Sequence, residues 1–530
     1  MKKRFSGIGC ALALALLNVA AWGQQATSFS IKGYKVQGNT LLSPEVVRLS
    51  TQTHTGSESS FETIQLALES LEKAYLNAGY GSVRVEIPEQ ELDSGVVTLQ
   101  VVEGVLGEVQ VDPNAFFDAD NVRHSLPALR LSETVNIHEL NRNLMLANES
   151  GIKVTQVTFK RSANNRDVDA TVKLSADDPV RWLATVDNTG STPTGLYRTG
   201  LIYQNANLFN RDHSLSLQAM TSPDHLSAVR ILGLGYRVPL YALGDALDIN
   251  VSSSNVDSGQ VAQAGGGPDL AISGSGTMLG VRYTHNFDAT AELQHALSIG
   301  LDQRAYGSSV TPLGSAASLV PDLTTRPVTL SYTRSWHTPQ RDITTSLTWL
   351  KNLPGGSNGS TADFNQPGGR TGADAGFQTL KVNMAYTERF ASQWMLRGGL
   401  SAQSTSDLLI AAEQFGVGGS DSVRGFGERE IAGDTGLRAG AEVWAPAISF
   451  DPWRMIPLGF IEGARVLRNQ PALGEIPSQT ISSMGLGLRA AYGRHLTLRM
   501  DWGYVLKGVT GIHGPAASDQ KLHASMAWVF

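Results

Sequence analysis

The chain has 530 residues, more than one small domain needs, and its net charge of −6 with 17% charged residues gives no basic surface suited to nucleic acid. Only 41% of residues are hydrophobic and 55 are glycine, and no segment approaches the run of about 20 apolar residues that a membrane-spanning helix needs. Cys10 is the single cysteine, which excludes a disulfide, thiol chemistry or a thiolate metal site from the rest of the chain.

The chain opens with a basic segment, Met1 to Arg4, followed by a short apolar core from Ala11 to Leu17 and small residues at Ala21 and Gly23. This pattern predicts an export signal peptide over residues 1–23, cleaved after Gly23. Residues 24–104 then read as a soluble α+β module. A strand pattern from Phe29 to Val36 ends at Gly38-Asn39, and Ser43-Pro44 predicts a helix start. Phe61, Ile64, Leu68, Leu71 and Tyr75 form one apolar stripe at helical spacing, stopped by Gly79. Two strands follow, Val83 to Ile87 and Val96 to Val102.

The same order returns over 105–178. A strand lies at Gly107 to Val111, Asp118 caps a short helix, and Asn136 with Glu139 opens a second helix with Ile137, Leu140 and Leu144 on one face. Strands near 153–159 and 168–174 complete the set. Two copies of one β-α-α-β-β unit are expected; a single α+β domain over the same stretch stays open.

From 179 to 530 no helical period is sustained. Sixteen segments of about ten residues alternate in polarity, from 181–187 to 521–530. Short connections, as at 206–212 and 389–392, tend to alternate with long Gly/Ser/Asp-rich ones at 256–274, 304–325, 352–375, 405–436 and 507–520. That alternation predicts a 16-stranded antiparallel membrane β-barrel with tight turns on the side of the α+β modules and long loops outside. A soluble β-solenoid or sandwich repeat array is the alternative, but no fixed repeat period is evident. The last segment places Leu522, Ala524, Met526, Trp528 and Phe530 on one face, a lipid-facing strand ending in an aromatic residue. The 405–436 connection is then the sixth external loop. It contains Val423-Arg424-Gly425-Phe426 among the glycines Gly418, Gly419 and Gly427, and a loop this long is more often functional than passive.

These features together resemble the two-partner secretion transporters, the outer-membrane pores of the haemolysin- and filamentous-haemagglutinin-secreting type within the Omp85 superfamily. In the first module the resemblance rests on Gly38-Asn39, Gly79-Tyr80, Ile87 to Gln90 and Gly95 to Gly104, which are similar to POTRA-domain sequence. In the barrel it rests on Asp187 to Gly190, Tyr236 to Pro239 and, most specifically, Val423 to Phe426. The resemblance implies that loop six folds back into the barrel and that its arginine meets an acid on an inner wall strand, within a Phe-x-Asp-x-Gly pattern. Here Phe460-Ile461-Glu462-Gly463-Ala464 matches with two departures, Glu for Asp and Ala for Gly. Strand alternation puts Phe460, Glu462 and Ala464 on one face. An arginine inside a barrel needs such a partner, because a buried unpaired guanidinium costs several kcal/mol and cannot escape by deprotonating.

Many members of the group also carry a plug helix ahead of the first POTRA. Only residues 24–28 precede the strand at Phe29, so none is expected, leaving loop six as the main occupant of the lumen. No zinc-type His/Cys spacing, phosphate loop or catalytic motif is evident, so no cofactor, metal or enzymatic activity is expected, and the eleven histidines read as scattered polar surface. The resemblance implies an ATP-independent pore in the Gram-negative outer membrane, with its POTRA modules in the periplasm. The implied partners are a secreted β-rich exoprotein, the barrel assembly machinery, and outer-membrane lipid. An assembly insertase or helper, and a passive porin, are the alternatives.

Overall fold

The structure is a computed structural model describing residues 29–530 except 113, 164–165, 192–193, 227–228, 256–258, 262–269, 273–275, 291, 308–320 and 512–513. The expected signal peptide with Cys10, the expected lack of a plug helix before Phe29 and parts of the 256–274 and 304–325 connections lie outside the described residues.

The first compact unit ends at Gly104. It contains β1 (Phe29–Ile31), β2 (Gly33–Gln37), α1 (Pro44–Gln52), β3 (Gly56–Ser59), α2 (Phe61–Asn77), β4 (Val83–Glu86) and β5 (Val96–Glu103). Its main sheet has the order β2-β5-β4, with β2 parallel to β5. Ser43 caps α1 by accepting from the Val46 N–H, with Pro44 opening the helix. Ile64, Leu71 and Tyr75 of α2 are buried against Val83, Val85, Val97, Leu99 and Val101, each worth about 1.5–3 kcal/mol of apolar transfer. Two expectations are corrected. The strand expected from Phe29 to Val36 is split at Lys32, and its first part pairs with β3, which has no alternating apolar pattern to reveal it. Phe61 does not join the buried stripe; at the first position of α2 it is 63% exposed.

The second unit runs from Val105 to Phe530. It begins with β6 (Leu106–Val111), α3 (Ala119–Ser125), α4 (Ile137–Asn148), β7 (Lys153–Arg161) and β8 (Val168–Ala176), with sheet order β6-β8-β7. Asp118 and Asn136 cap the two helices, as expected from their position and chemistry.

The barrel follows: β9 (Val180–Asp187), β10 (Arg198–Leu208), β11 (His213–Thr221), β12 (Ile231–Leu240), β13 (Asp245–Ser254), then the loop pair β14 (Gly259–Val261) and β15 (Leu270–Ile272). It continues with β16 (Gly276–Asn286), β17 (Leu293–Tyr306), β18 (Leu323–Thr325), β19 (Pro327–His337), β20 (Arg341–Asn352), a short helix α5 (Thr361–Phe364), β21 (Gln378–Arg389) and β22 (Met395–Ser404). Loop six carries β23 (Phe415–Val417) and β24 (Ile431–Gly433). The wall then resumes with β25 (Thr435–Trp444), β26 (Ile448–Phe450), β27 (Trp453–Leu467), β28 (Ser478–Tyr492), β29 (Leu496–Lys507) and β30 (Gln520–Val529).

β18 and β19 both pair with β17, and β25 and β26 both pair with β27, so each couple is one interrupted strand and the closed antiparallel barrel has sixteen. Outward positions such as Leu330, Tyr332, Leu347 and Trp349 are exposed, while the alternate positions turn inward. Closure joins β30 to β9 over five pairs, Ser525↔Asp187 to Val529↔Leu183. Asn188 extends this seam: its amide donates to Leu522 O at 2.8 Å and its carbonyl oxygen accepts from the Ala524 N–H at 2.9 Å. Leu522, Met526, Trp528 and Phe530 of the final segment are exposed on the outer face, as expected.

The module over β6–β8 is tied to the near end of the barrel. Lys153 on β7, 2% exposed, donates to Asp212 at 2.6 Å in the β10–β11 turn and lies 4.9 Å from the Phe117 ring centroid. Asp212 also accepts from Asn121 at 3.0 Å and from the Tyr241 hydroxyl at 2.6 Å. Burial pushes the Lys153 ammonium below the usual lysine range, and the Asp212 carboxylate pulls it back. Arg237 on β12 donates to Glu149, at the C-terminal cap of α4, and to Asp248 on β13, both at 2.7 Å.

Candidate functional site

Loop six is more ordered than its glycines suggest. β23 and β24 form a hairpin within it, where the glycines predict plain loop. Val423 and Phe426 are fully buried at its tip, packed with Val417, Ile431, Ala464, Val466, Ile481 and Val505. Ala464, which departs from the expected glycine, thus adds a methyl group to the apolar seat. Gly425 has φ +98, and a side chain on Gly503 of β29 would lie 2.6 Å from the Gly425 nitrogen. Only backbone against backbone fits there.

Between these apolar anchors Arg424 turns into the wall and is 1% exposed. Its backbone N–H donates to Glu462 Oε2 at 2.8 Å, and its guanidinium reaches the same carboxylate at 3.1 and 2.8 Å. Glu462 faces inward on β27 beside Phe460, as strand alternation requires, and the Arg424 Cζ lies 3.5 Å from the Phe460 ring centroid. The longer Glu side chain therefore serves both backbone and side chain of one loop residue.

Glu462 is not the sole partner. Arg424 Nη2 donates to Glu442 on β25 at 2.6 Å, and Nη1 donates to Asp501 on β29 at 3.1 Å. Asp501, fully buried, also accepts from Arg489 and Arg499, each at 2.8 Å. Arg438 donates to the Ser422 carbonyl at 2.8 Å and to Glu462 at 3.4 Å, and Arg499 bonds Asp421. Four guanidinium groups (Arg424, Arg438, Arg489, Arg499) thus face four carboxylates, of which Glu442, Glu462 and Asp501 are sheltered and Asp421 is exposed, and the pairing offsets the cost of burying the inner ones. His523 on β30, 2% exposed, accepts from the Gly425 N–H at 3.0 Å through Nε2. This corrects the reading of the histidines as scattered surface. Glu442, Asp501 and His523 went unnoticed because each is one polar residue among many on inner faces. The available signal was parity: Asp501 alternates with Met500 and Trp502, which are exposed on the outer face.

A second set of contacts holds the root of loop six. Glu413, 5% exposed, accepts from Arg304 on β17 at 3.1 and 3.2 Å, and from Tyr306 and Thr325 at 2.9 Å each. Asp434 at the other end accepts from Arg370 of the fifth external loop at 2.7 Å, from the Leu409 N–H at 2.9 Å and from the Asn469 N–H at 2.7 Å. Among the described residues no group of three His, Cys, Asp or Glu is placed to hold a metal ion.

Comparison with known proteins agrees with this architecture. The profile of the haemolysin secretion/activation protein ShlB/FhaC/HecB matches residues 167–489, and that of the ShlB-type POTRA domain matches residues 29–104. The chain belongs to the ShlB/FhaC/HecB family. It is therefore an outer-membrane β-barrel transporter of two-partner secretion, within the Omp85 superfamily, with periplasmic POTRA modules. The outer membrane transporter CdiB of Dickeya dadantii is 21% identical over 82% of this chain and 75% of its own length. That of Escherichia coli is 24% identical over 78% and 68%. Among solved structures, CdiB from Escherichia coli superposes with a TM-score of 0.76 at 18% identity, covering 96% of this chain and 92% of its own. CdiB from Acinetobacter baumannii gives 0.71 at 15%, covering 95% and 90%.

Proposed function

We propose that this chain recognises a β-rich exoprotein through its periplasmic modules and passes it unfolded through the barrel, with loop six as the yielding obstruction. The observation that carries the reading is Arg424. It is held inside a closed barrel by three wall carboxylates, on a loop whose tip docks on the wall through non-covalent contacts. Val423, Gly425, Phe426, Phe460 and Ala464 seat that arginine, and Glu462 is its chief partner. Division of the chain into a signal peptide (1–23), POTRA modules (24–104 and 105–178) and barrel (179–530) fits this use. The exoprotein's targeting segment adds as a strand to an exposed sheet edge of the modules. Trp528 and Phe530 present the final strand to the barrel assembly machinery, and the outer face meets lipid. The chain performs no catalysis, and folding of the cargo outside supplies the drive in place of ATP.

The test is export of the exoprotein encoded beside this gene by cells carrying the chain with residues 29–177 deleted. Loss of export with a heat-modifiable barrel still in the membrane is expected; undiminished export removes the recognition role. A passive porin instead requires large, steady conductance in planar bilayers, whereas the loop-six reading expects small, fluctuating currents.

A further inference from the structure

The outer face of the barrel carries an unmatched charge near its periplasmic rim. That end is marked by the β16–β17 turn, where Asp288 accepts from Arg142 of α4 at 2.7 Å. Other cationic side chains at this rim have an acid of their own: Arg341 of β20 pairs with Glu388 of β21 at 2.5 Å, and His285 of β16 meets Asp245 at 3.0 Å. Arg334 of β19 differs. It is exposed in the outward row between Tyr332 and Trp336, and it has no ion-pair partner among the described residues. Glu292, just ahead of β17, is turned to the Trp336 Nε1, which donates to it at 3.4 Å. His295 of β17 stands opposite Arg334 in the ladder. Its ring is stacked on Phe287, with 4.8 Å between centroids and 15° between planes, and its Nδ1 lies 3.2 Å from the Tyr332 hydroxyl. The imidazole is thus held in place with Nε2 left for a further partner. Beyond this pair, towards the middle of the membrane, the outward positions Leu297, Ile299 and Leu330 are exposed and apolar.

We infer that Arg334 and His295 form a binding site for one phospholipid of the periplasmic leaflet, with its phosphodiester between the two side chains and its acyl chains along Leu297, Ile299 and Leu330. A guanidinium cannot shed its charge, and a charge on the lipid face of a barrel grows more costly with depth. A phosphodiester supplies Arg334 with the negative partner that Glu388 supplies to Arg341, through the two parallel bonds that suit a guanidinium. Residues opposite one another on antiparallel strands are about 4.5–5.5 Å apart, so one phosphate reaches both. Tyr332 and Trp336 bracket the site with rings that have an apolar body and a polar tip, as suits headgroup depth. The apolar residues beyond favour a lipid over a free anion, because only a lipid covers them as well. The inference rests on the outer-membrane placement of the barrel and is independent of what passes through the pore.

Native mass spectrometry of the full-length protein, released from detergent micelles, tests the site. The probes are dioleoylphosphatidylglycerol, dioleoylglycerol, which lacks the phosphate, and inorganic phosphate, which lacks the chains. Arg334→Gln removes the cation from an exposed position. His295→Phe keeps a ring against Phe287 but removes Nε2. Arg465→Gln on β27 is the control, an exposed outward cation at the opposite end of the barrel. One phosphatidylglycerol is expected to remain on the unaltered protein and on Arg465→Gln. The bound fraction should fall about tenfold in Arg334→Gln and less steeply in His295→Phe, since a charged group holds phosphate more strongly than a neutral one. Dioleoylglycerol and inorganic phosphate should not remain bound. Equal retention by Arg334→Gln and the unaltered protein, or retention by neither, overturns the site. Retention of dioleoylglycerol to the same extent reduces it to an apolar groove, and retention of inorganic phosphate to the same extent makes it a site for a free anion; either result overturns the lipid assignment. Heat-modifiability of every variant confirms that its barrel has closed.

Discussion

Arg304 on β17 holds Glu413, at the root of loop six, through two contacts of 3.1 and 3.2 Å. The wall therefore grips the loop at its root as well as at its tip. Each charged hydrogen bond of this kind contributes about 1.5–3 kcal/mol. Glu413→Gln keeps the shape and removes the charge, so the root loosens while the Arg424 cluster stays intact. More frequent brief openings in planar bilayers are the expected outcome. Unchanged gating would mean that the tip alone governs the obstruction.

Arg424→Ala leaves Glu442, Glu462 and Asp501 facing a space without their shared cation. Breaking a buried pair costs about 3–5 kcal/mol, enough to undock the tip. Export of the partner exoprotein is expected to fall at least about tenfold, with the amount of heat-modifiable barrel little changed. Arg424→Lys rescues only in part, since an ammonium cannot span three carboxylates as a planar guanidinium does. Equal loss of export and of assembled barrel would reduce the arginine to a structural role.

The Lys153–Asp212 pair fastens the module over β6–β8 to the barrel. Lys153→Met strands a buried carboxylate and should weaken that attachment by about 3–5 kcal/mol. Faster proteolysis of residues 105–177 in the detergent-solubilised full-length protein is the measurement. Lys153→Met with Asp212→Leu removes both charges and should restore much of the protection; failure to do so would mean that the Asn121 and Tyr241 contacts to Asp212 matter more than the charge.

His124 lies at the same attachment, where its Nδ1 faces Arg211 at 2.8 Å and its ring meets Tyr241 edge-on. Burial, then the nearby Arg211 charge, lower its pKa below the usual histidine value. The folded state thus binds the proton less readily than the unfolded one, so stability is full above the usual value and declines as pH falls towards the lowered one. Protease protection of residues 105–177 should fall slightly between pH 7.5 and pH 5, and His124→Gln should flatten that dependence. An unchanged slope in the variant would assign it to another group.

The barrel was legible because lipid outside and polar lumen inside impose a two-residue alternation on each strand. The same alternation pointed Glu462 inward. Asp501, Glu442 and His523 obey it too, but which inner positions converge on Arg424 depends on register across β25 to β30, and no local pattern encodes that. β3 and the loop-six hairpin were missed for another reason. Their strands have three or four residues, several of them glycine or serine, and they exist because neighbours pair with them. Tyr236 to Pro239 matched the family, yet only the structure gave Arg237 its task of joining α4 to β13.

Of the nine charges linked through Arg424 and its partners among the described residues, loop six itself supplies two, Asp421 and Arg424, and they cancel. The seven left on the wall, Arg397, Arg438, Arg489 and Arg499 with Glu442, Glu462 and Asp501, stay in place and carry a net of +1. Separating the two groups therefore moves no net gating charge from this cluster through the membrane field, where each uncompensated charge would couple by about 2.3 kcal/mol per 100 mV. The ion pairs that hold Arg424 thus add no voltage dependence to release of the tip; any such dependence comes from Glu428, Arg429 and Glu430 beside them, a net of −1.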